Sequence, residues 1–206
     1  VSSMETVVLA ETDGGVPVYF DKAASELDGI VLVNRIKPHT DFHAEYESGL
    51  VKQMVVGLGN HDGASEVHFH GLPGLQKLIP AMGKRILEHG RICLGVGIIE
   101  NAEDTIAEVH VLPAQSILDR EPGLLDRAKE LMPFIPFAGA DLLIVQEMGK
   151  HISGVGMDSN ITGRRNIRQD HRPDDSKAAR IVCLGLSPKS YGNALGVGMA
   201  DVIPRS

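Results

Sequence analysis

The chain has 206 residues, of which 43% are hydrophobic, and a formal net charge of −7 at pH 7. This length is enough for one large domain with a sizeable core. Its apolar runs all fall short of the about 18 residues that a membrane-spanning helix needs. The cationic residues are scattered among acidic ones and form no broad basic surface. We therefore expect neither a membrane protein nor a nucleic-acid partner.

The two cysteines and the first residues of the sequence indicate the cellular compartment. Cys93 and Cys183 each lie inside an apolar, strand-like run. This setting predicts two buried thiols rather than a disulfide or a metal pair, which fits a reducing cytoplasm. No signal peptide is visible. Because the sequence opens without an initiator methionine, we expect a fragment of a longer, cytoplasmic protein.

The hydrophobic pattern predicts an α/β fold with a mixed sheet and flanking helices. Asp13-Gly14-Gly15 separates two strand-like segments and predicts a hairpin. The whole of 1–206 reads as one α/β region, within which 139–206 forms a possible subdomain. The predicted strands cover 6–10, 16–20, 30–34, 92–99, 106–112, 141–146 and 180–186, and the predicted helices cover 75–87 and 122–132.

A candidate site begins where the apolar run at 30–33 ends at Asn34. Five of the nine histidines lie between residues 39 and 70. Ligands of open α/β sheets bind beyond the carboxyl ends of strands, and His39 and Asp41 would project there. Imidazole is both a common metal ligand and a proton carrier near neutral pH.

The residue types in this window allow several interpretations. The histidines can be ordinary solvated residues of loops and helices. Alternatively, His39, Asp41 and His43 can hold a divalent metal, as in a zinc-type hydrolase. Lys52 stands among apolar neighbours. It either extends its amine to solvent or is buried with a lowered pKa and acts as a nucleophile.

Three segments together resemble the nickel-dependent lactate racemase family. They are Arg35-Ile36-Lys37-Pro38-His39, Glu47-Ser48-Gly49-Leu50-Val51-Lys52 and, sixteen positions after Lys52 (68 − 52), His68. Proteins of this family carry a nickel-pincer nucleotide, a pyridinium thioamide/thiocarboxylate mononucleotide derived from nicotinic acid mononucleotide. The resemblance is most specific over residues 28 to 72.

The resemblance implies a role for each matching residue. Lys52 would anchor the pincer covalently, His68 would ligate the nickel, and His39 would be catalytic. A second catalytic base would lie upstream of this chain. The other residues implied in cofactor binding are Arg35, Ser48 and Gly49.

The implied reaction is the racemisation or epimerisation of a 2-hydroxy acid by hydride transfer. The substrate hydroxyl proton then needs a base with a pKa near 7, for which we expect His39 to serve. The implied partners are the small 2-hydroxy acid and the enzymes that synthesise the cofactor. Protein made in an ordinary host is expected to lack the cofactor.

A glycine-rich loop from Gly149 to Arg165 is the second candidate site. Its polar residues suit a phosphate or a carboxylate, although an ordinary surface connection has the same composition. The donors of this loop are Ser153, Asn160, Thr162, Arg164 and Arg165.

Three functions remain open: a pincer-nickel racemase or epimerase, a zinc-type hydrolase and a catalytically silent ligand-binding domain.

Overall fold

The computed structural model describes residues 4–137, 139–164 and 176–204. The chain divides into two compact units, unit 1 (Val1–Met132) and unit 2 (Pro133–Ser206). Helices alternate with sheets that contain both parallel and antiparallel pairs, which confirms the predicted α/β class. None of the helices in the described ranges has the length and apolar character needed to cross a membrane.

The elements follow in chain order. Unit 1 contains β1 (Thr6–Glu11), β2 (Pro17–Asp21), α1 (Lys22–Ser25), β3 (Ile30–Arg35), α2 (Leu50–Lys52), a π-helical turn (Gln53–Gly57), α3 (Asn60–Phe69), α4 (Gly71–His89), β4 (Ile92–Glu100), β5 (Ile106–Pro113) and α5 (Ile117–Leu131). Unit 2 contains β6 (Ala140–Val145), α6 (Ser159–Thr162) and β7 (Ala178–Cys183). Short 3₁₀ turns occur at Ala114–Ser116, Pro188–Ser190 and Val197–Met199.

Unit 1 is built around a three-stranded mixed sheet. β3 pairs with β4 in parallel, and β5 pairs with β4 antiparallel. Parallel strands require a long crossover, which α2, α3 and α4 provide between β3 and β4. The β1–β2 hairpin is antiparallel, as its turn residues predict. The carboxyl end of β3 therefore opens directly into the loop that carries the candidate site.

The helix α4 supplies much of the unit 1 core. Its apolar residues recur at helical spacing, and Ile79 and Ile86 are completely buried. The helix extends from Gly71 to His89, so the predicted helix over 75–87 is confirmed and four residues longer at its start. Leu50 and Val51 of α2 are also completely buried, which fixes α2 against the same core.

The two cysteines differ in exposure. Cys183 is buried, as predicted, but Cys93 is exposed, so the prediction for Cys93 is wrong. The β3–β4 register explains the difference: Ile30 pairs with Ile92 and Val31 with Leu94, which leaves Cys93 as an extra residue in a bulge. A bulge changes the face to which the inserted side chain points. Both thiols are free.

Unit 2 has a small core of its own. Its parallel strands β6 and β7 are extended by an isolated bridge between Met148 and Leu186. The buried hydrophobic cluster of unit 2 consists of Met157, Ala178, Ile181 and Met199. The loops that follow β6 and β7 consequently leave the same edge of the pair.

Candidate functional site

The loop between β3 and α2 is closed at its base by backbone pairing. Lys37 N–H donates to Ser48 O at 2.9 Å, and Ser48 N–H donates to Lys37 O at 3.3 Å. The Asn34 side chain donates to Gly49 O at 2.8 Å. These bonds bring the end of β3 next to the start of α2. Residues 38–47 are therefore held in one compact loop.

A buried carboxylate, Glu47, organises this loop from inside. Its side chain has no exposed surface. It accepts the backbone N–H of His39 at 2.6 Å and that of Ala44 at 3.4 Å. It also lies 3.2 Å from His43 Nδ1 and 3.3 Å from Lys129 Nζ of α5. Glu47 thus fixes the backbone position of His39 while its charge is compensated by Lys129.

His39 is partly buried and its ring is oriented by two contacts. The ring packs on Phe42 with centroids 4.5 Å apart, and Nδ1 accepts the Asp41 backbone N–H at 3.0 Å. The pKa of His39 is lowered to about 4, mainly by burial and in addition by the charges of Lys52 and His68, while Glu47 opposes the shift. The ring is therefore neutral at pH 7, with its proton on Nε2 because Nδ1 is an acceptor.

This result corrects the expected base strength of His39. A general base needs a pKa near 7 and an unprotonated nitrogen facing the substrate. In the structure, the pKa is well below that value and Nε2 carries the proton. Desolvation and the neighbouring Lys52 amine are the physical reasons. As it stands, the ring is suited to donate a hydrogen bond from Nε2.

Lys52 is the last residue of α2 and is partly buried. Burial lowers the pKa of its amine, while Asp41 and Glu47 oppose this shift. Its Nζ lies 5.5 Å from the centroid of the Phe42 ring. Within the described part of the chain, Lys52 makes no ion pair. Of the two interpretations of this lysine, the structure favours the desolvated amine.

His68 lies in the last turn of α3 and is exposed. Its charge and that of Lys52 both act on His39, so each of these two residues lies within electrostatic range of His39. The fold achieves this because α2 and α3 are joined by the π-helical turn, in which Leu58 N–H donates to Gln53 O at 3.1 Å. We call His39, Lys52 and His68 the HKH cluster.

The other predicted cofactor-binding residues have different surroundings. Arg35 is exposed, and its guanidinium pairs with Glu100 of β4 at 2.9 Å. Side chains alternate along a strand, so Arg35 points away from the face on which Asn34 contacts Gly49. The structure thus assigns Arg35 an ion pair on the neighbouring strand. Ser48 contributes its backbone to the loop closure.

Gly49 stands against a second buried carboxylate, Glu121 of α5. A Cβ at Gly49 would collide with the Glu121 carboxylate, so only glycine fits there. Glu121 accepts the N–H groups of Leu50 at 2.8 Å and Val51 at 3.0 Å. Burial raises the pKa of Glu121 to about 7, although these two hydrogen bonds oppose the shift. Glu121 therefore fixes the start of the helix that carries Lys52.

Neither buried carboxylate was identified in the sequence. Glu47 and Glu121 have no local signal, because glutamate is usually exposed and their partners are distant or irregular backbone. The one available hint was the sequence Ser48-Gly49 before an apolar helix start, which leaves backbone N–H groups that need an acceptor.

The zinc-type alternative requires His39, Asp41 and His43 on one metal. In the structure, His39 Nδ1 accepts from the Asp41 backbone, and His43 Nδ1 is directed at Glu47. No group of three or more histidine, cysteine, aspartate or glutamate side chains suited to a metal occurs among residues 4–137, 139–164 and 176–204. The His-x-Asp-x-His metal site is therefore not formed.

The glycine-rich loop uses several of its predicted donors internally. Thr162 Oγ1 donates to Asp158 O, and Arg164 pairs with Asp201 at 2.8 Å. Asn160 N–H donates to the Asp158 carboxylate, which caps α6. Arg165 lies outside the described residues. Among the predicted donors of the described loop, Ser153 alone has a hydroxyl that is buried without a hydrogen-bond partner.

Comparisons with known proteins include a solved structure to which this chain is similar. No family model matches the chain, and no curated protein matches it. Among solved structures, the chain is similar to that of the lactate racemase apoprotein from Thermoanaerobacterium thermosaccharolyticum. The identity is 14% and the TM-score 0.49, over 88% of this chain and 43% of that one. The chain thus spans less than half the length of that neighbour.

Proposed function

We propose that the chain carries the cofactor-anchoring part of a 2-hydroxy acid racemase or epimerase that uses a nickel-pincer nucleotide. The observation that carries this proposal is the HKH cluster: a desolvated amine and an exposed imidazole each lie in electrostatic range of a neutral, oriented imidazole. When bound, the nucleotide supplies a carbon that accepts and returns the substrate hydride. The chain's own residues hold that group and the substrate.

Lys52 is suited to form a covalent bond because only an unprotonated amine is a nucleophile. Desolvation of the partly buried side chain favours that form. The cation has no ion-pair partner within the described ranges to stabilise it. Glu121 fixes the backbone at the start of α2, the helix from which the Lys52 side chain extends. These properties fit an anchor for an electrophilic carbonyl or thiocarbonyl group.

His68 fits a metal ligand on the chemistry of its donor. The imidazole lies near the end of α3 and is exposed. A single histidine suffices as protein ligand where the cofactor supplies the remaining ligand atoms. Metal binding by His68 requires the unprotonated ring nitrogen, which supplies the lone pair for the bond.

We assign to His39 the role of holding the substrate oxygen. Its Nε2–H donates a hydrogen bond to a hydroxyl, alkoxide or carbonyl oxygen, and its orientation is set by Phe42 and the Asp41 N–H. A donor aimed at developing negative charge on oxygen stabilises it more strongly in a partly desolvated site than in water. To act as a base, the ring must first release the Asp41 hydrogen bond and exchange its proton between nitrogens.

The test is to produce the full-length protein together with the pincer-synthesis enzymes and measure its intact mass and metal content. We expect a covalent adduct that is lost in Lys52→Arg and retained in Lys77→Arg, an exposed lysine on α4. Nickel should be lost in His68→Ala and retained in His61→Ala, an exposed histidine on α3. An adduct that persists in Lys52→Arg contradicts the proposal.

Activity provides a second, independent measurement. His39→Ala should reduce interconversion of 2-hydroxy acid enantiomers by about 10²- to 10⁴-fold, the usual contribution of a catalytic proton or hydrogen-bond group. His43→Ala should have much less effect. Joint loss of metal and activity in both variants would support the zinc-type hydrolase instead. If neither substitution changes the activity, the result would support a silent ligand-binding domain.

A further inference from the structure

Two loops of unit 2 leave the same edge of its parallel strand pair. Gly149–Ser153 follows β6, and the segment from Ser187 to Gly192 follows β7. The Met148–Leu186 bridge holds the starts of these loops side by side. In α/β sheets, the edge at the carboxyl ends of parallel strands is where ligands bind.

A buried serine hydroxyl lies at this edge without a partner. Ser190 is only 6% exposed, and its Oγ has no hydrogen-bond partner among the described residues. Ser153 Oγ, in the facing loop, is in the same situation. Leaving a buried hydroxyl unpaired is unfavourable, and native structures usually satisfy such a group with protein, water or a ligand.

The Ser190 hydroxyl and the His151 imidazole both lie beside Gly149. A Cβ on Gly149 would lie 2.6 Å from Ser190 Oγ and 2.9 Å from His151 Nδ1. Nε2 of the same imidazole lies 3.5 Å from Ser187 Oγ, which is the limit of a hydrogen bond. The ring of His151 is exposed, so it can turn away without breaking the core.

The charge of the two loops is positive. Residues 146–153 and 184–193 contain Lys150 and Lys189 against one carboxylate, Glu147. Both lysines are exposed. Hydroxyl donors beside cationic side chains favour an anionic oxygen over a cation or a neutral group.

We propose that Gly149, His151, Ser187 and Ser190 form a binding site for the oxyanion group of a small molecule, a carboxylate or a phosphate. The hydroxyls of Ser187 and Ser190 donate to its oxygens, and His151 donates through a ring nitrogen after turning. The lysines add attraction without a fixed contact. This site belongs to unit 2 and does not depend on the HKH cluster.

The experiment is an NMR titration of the ¹⁵N-labelled chain with inorganic phosphate and, separately, with acetate at constant ionic strength. We expect saturable shifts of the Gly149 and Ser190 amide signals with one of the two anions. Saturation by phosphate identifies a phosphate-bearing ligand, and saturation by acetate a carboxylate-bearing one. Sodium chloride should produce no saturable change.

Variants make the test specific. Ser190→Ala should raise the apparent Kd about tenfold or more, the usual effect of removing one hydrogen bond to a charged group. Gly149→Ala should abolish binding, because its methyl group fills the space between Ser190 and His151. Ser65→Ala, an exposed serine of α3, should bind as the wild type does. Linear shifts with both anions, or equal Kd values in wild type and Ser190→Ala, would overturn the proposal.

Discussion

Replacing Glu121 by glutamine should change how the stability of unit 1 depends on pH. Burial raises the pKa of this carboxyl from its ordinary value of 4.5 to about 7. The folded state therefore binds the Glu121 proton more tightly than the unfolded state. The stability that this proton contributes is fully present below pH 4.5 and is lost as the pH rises through about 7.

The magnitude follows from the two pKa values. Each tenfold change in proton affinity is worth about 1.4 kcal/mol, so a change from 4.5 to about 7 corresponds to about 3 kcal/mol. Glutamine stays neutral, and its side-chain oxygen can still accept the N–H groups of Leu50 and Val51. Glu121→Gln should therefore match the wild type near pH 4.5 and exceed its stability by about 3 kcal/mol at pH 8.

The assay is urea denaturation at pH 5, 6, 7 and 8, followed by amide NMR signals of α5 so that unit 1 is observed by itself. The control is Glu103→Gln, an exposed carboxyl in the turn before β5, which should leave the pH dependence of the wild type unchanged. If wild type and Glu121→Gln lose stability in parallel between pH 5 and 8, the Glu121 carboxyl does not hold a proton in the folded state and the reasoning is wrong.

Three further substitutions test other parts of the structure. Glu47→Ala should destabilise unit 1 by about 3 kcal/mol or more in urea denaturation, because it leaves buried N–H groups and a lysine without their acceptor, whereas exposed Glu45→Ala should change it little. Ile79→Ala should cost about 2–5 kcal/mol by the same measurement, since it opens a cavity in the core. Gly156→Ala should cost more than about 1 kcal/mol, as amide exchange in unit 2 would detect, because its φ is +85° and a Cβ there would collide with backbone. Gly154→Ala, with open space around it, should stay within about 0.5 kcal/mol of the wild type.

The parts of the fold that sequence patterns predicted are those with local periodicity. The hairpin, β3, β4 and α4 each have an apolar period or an uninterrupted apolar run that needs no distant partner to be recognised. The pairing of strands is harder to predict from sequence, because the bulge that exposes Cys93 depends on the register with β3. Periodicity identifies an element but not the irregularity within it.

The start of α5 shows a second limit. The sequence predicted a helix over 122–132, but the helix begins at Ile117 and contains Pro122. Proline cannot donate to the carbonyl four residues earlier, which is Leu118 O. That carbonyl instead accepts the Tyr46 hydroxyl at 2.9 Å. A tertiary contact 72 residues away in sequence thus compensates for the missing hydrogen bond, and no local pattern encodes it.

The site was predictable in its residue types but not in its electrostatics. The charges of Lys52 and His68 both act on His39, whereas the roles assigned to the three residues stay a prediction. The lowered pKa of His39 depends on burial and on the charge of Lys52, which are properties of the folded chain. The roles of Glu47 and Glu121 could not be predicted for the same reason. The role of a charged side chain depends on spatial neighbours that are distant from it in the sequence.

The π-helical turn Gln53–Gly57 determines where the chain between Lys52 and His68 can lose a residue. A π-helical turn contains one more residue than the corresponding α-helical turn. Deleting a residue such as Val56 would let an ordinary α-helical turn replace the wider one, so Lys52 would keep nearly the same rotation relative to the residues that follow the turn. A deletion in a regular α-helical turn instead rotates the two sides by about 100°. In an alignment of related chains, we therefore expect a one-residue gap between residues 52 and 68 to fall within Gln53–Gly57.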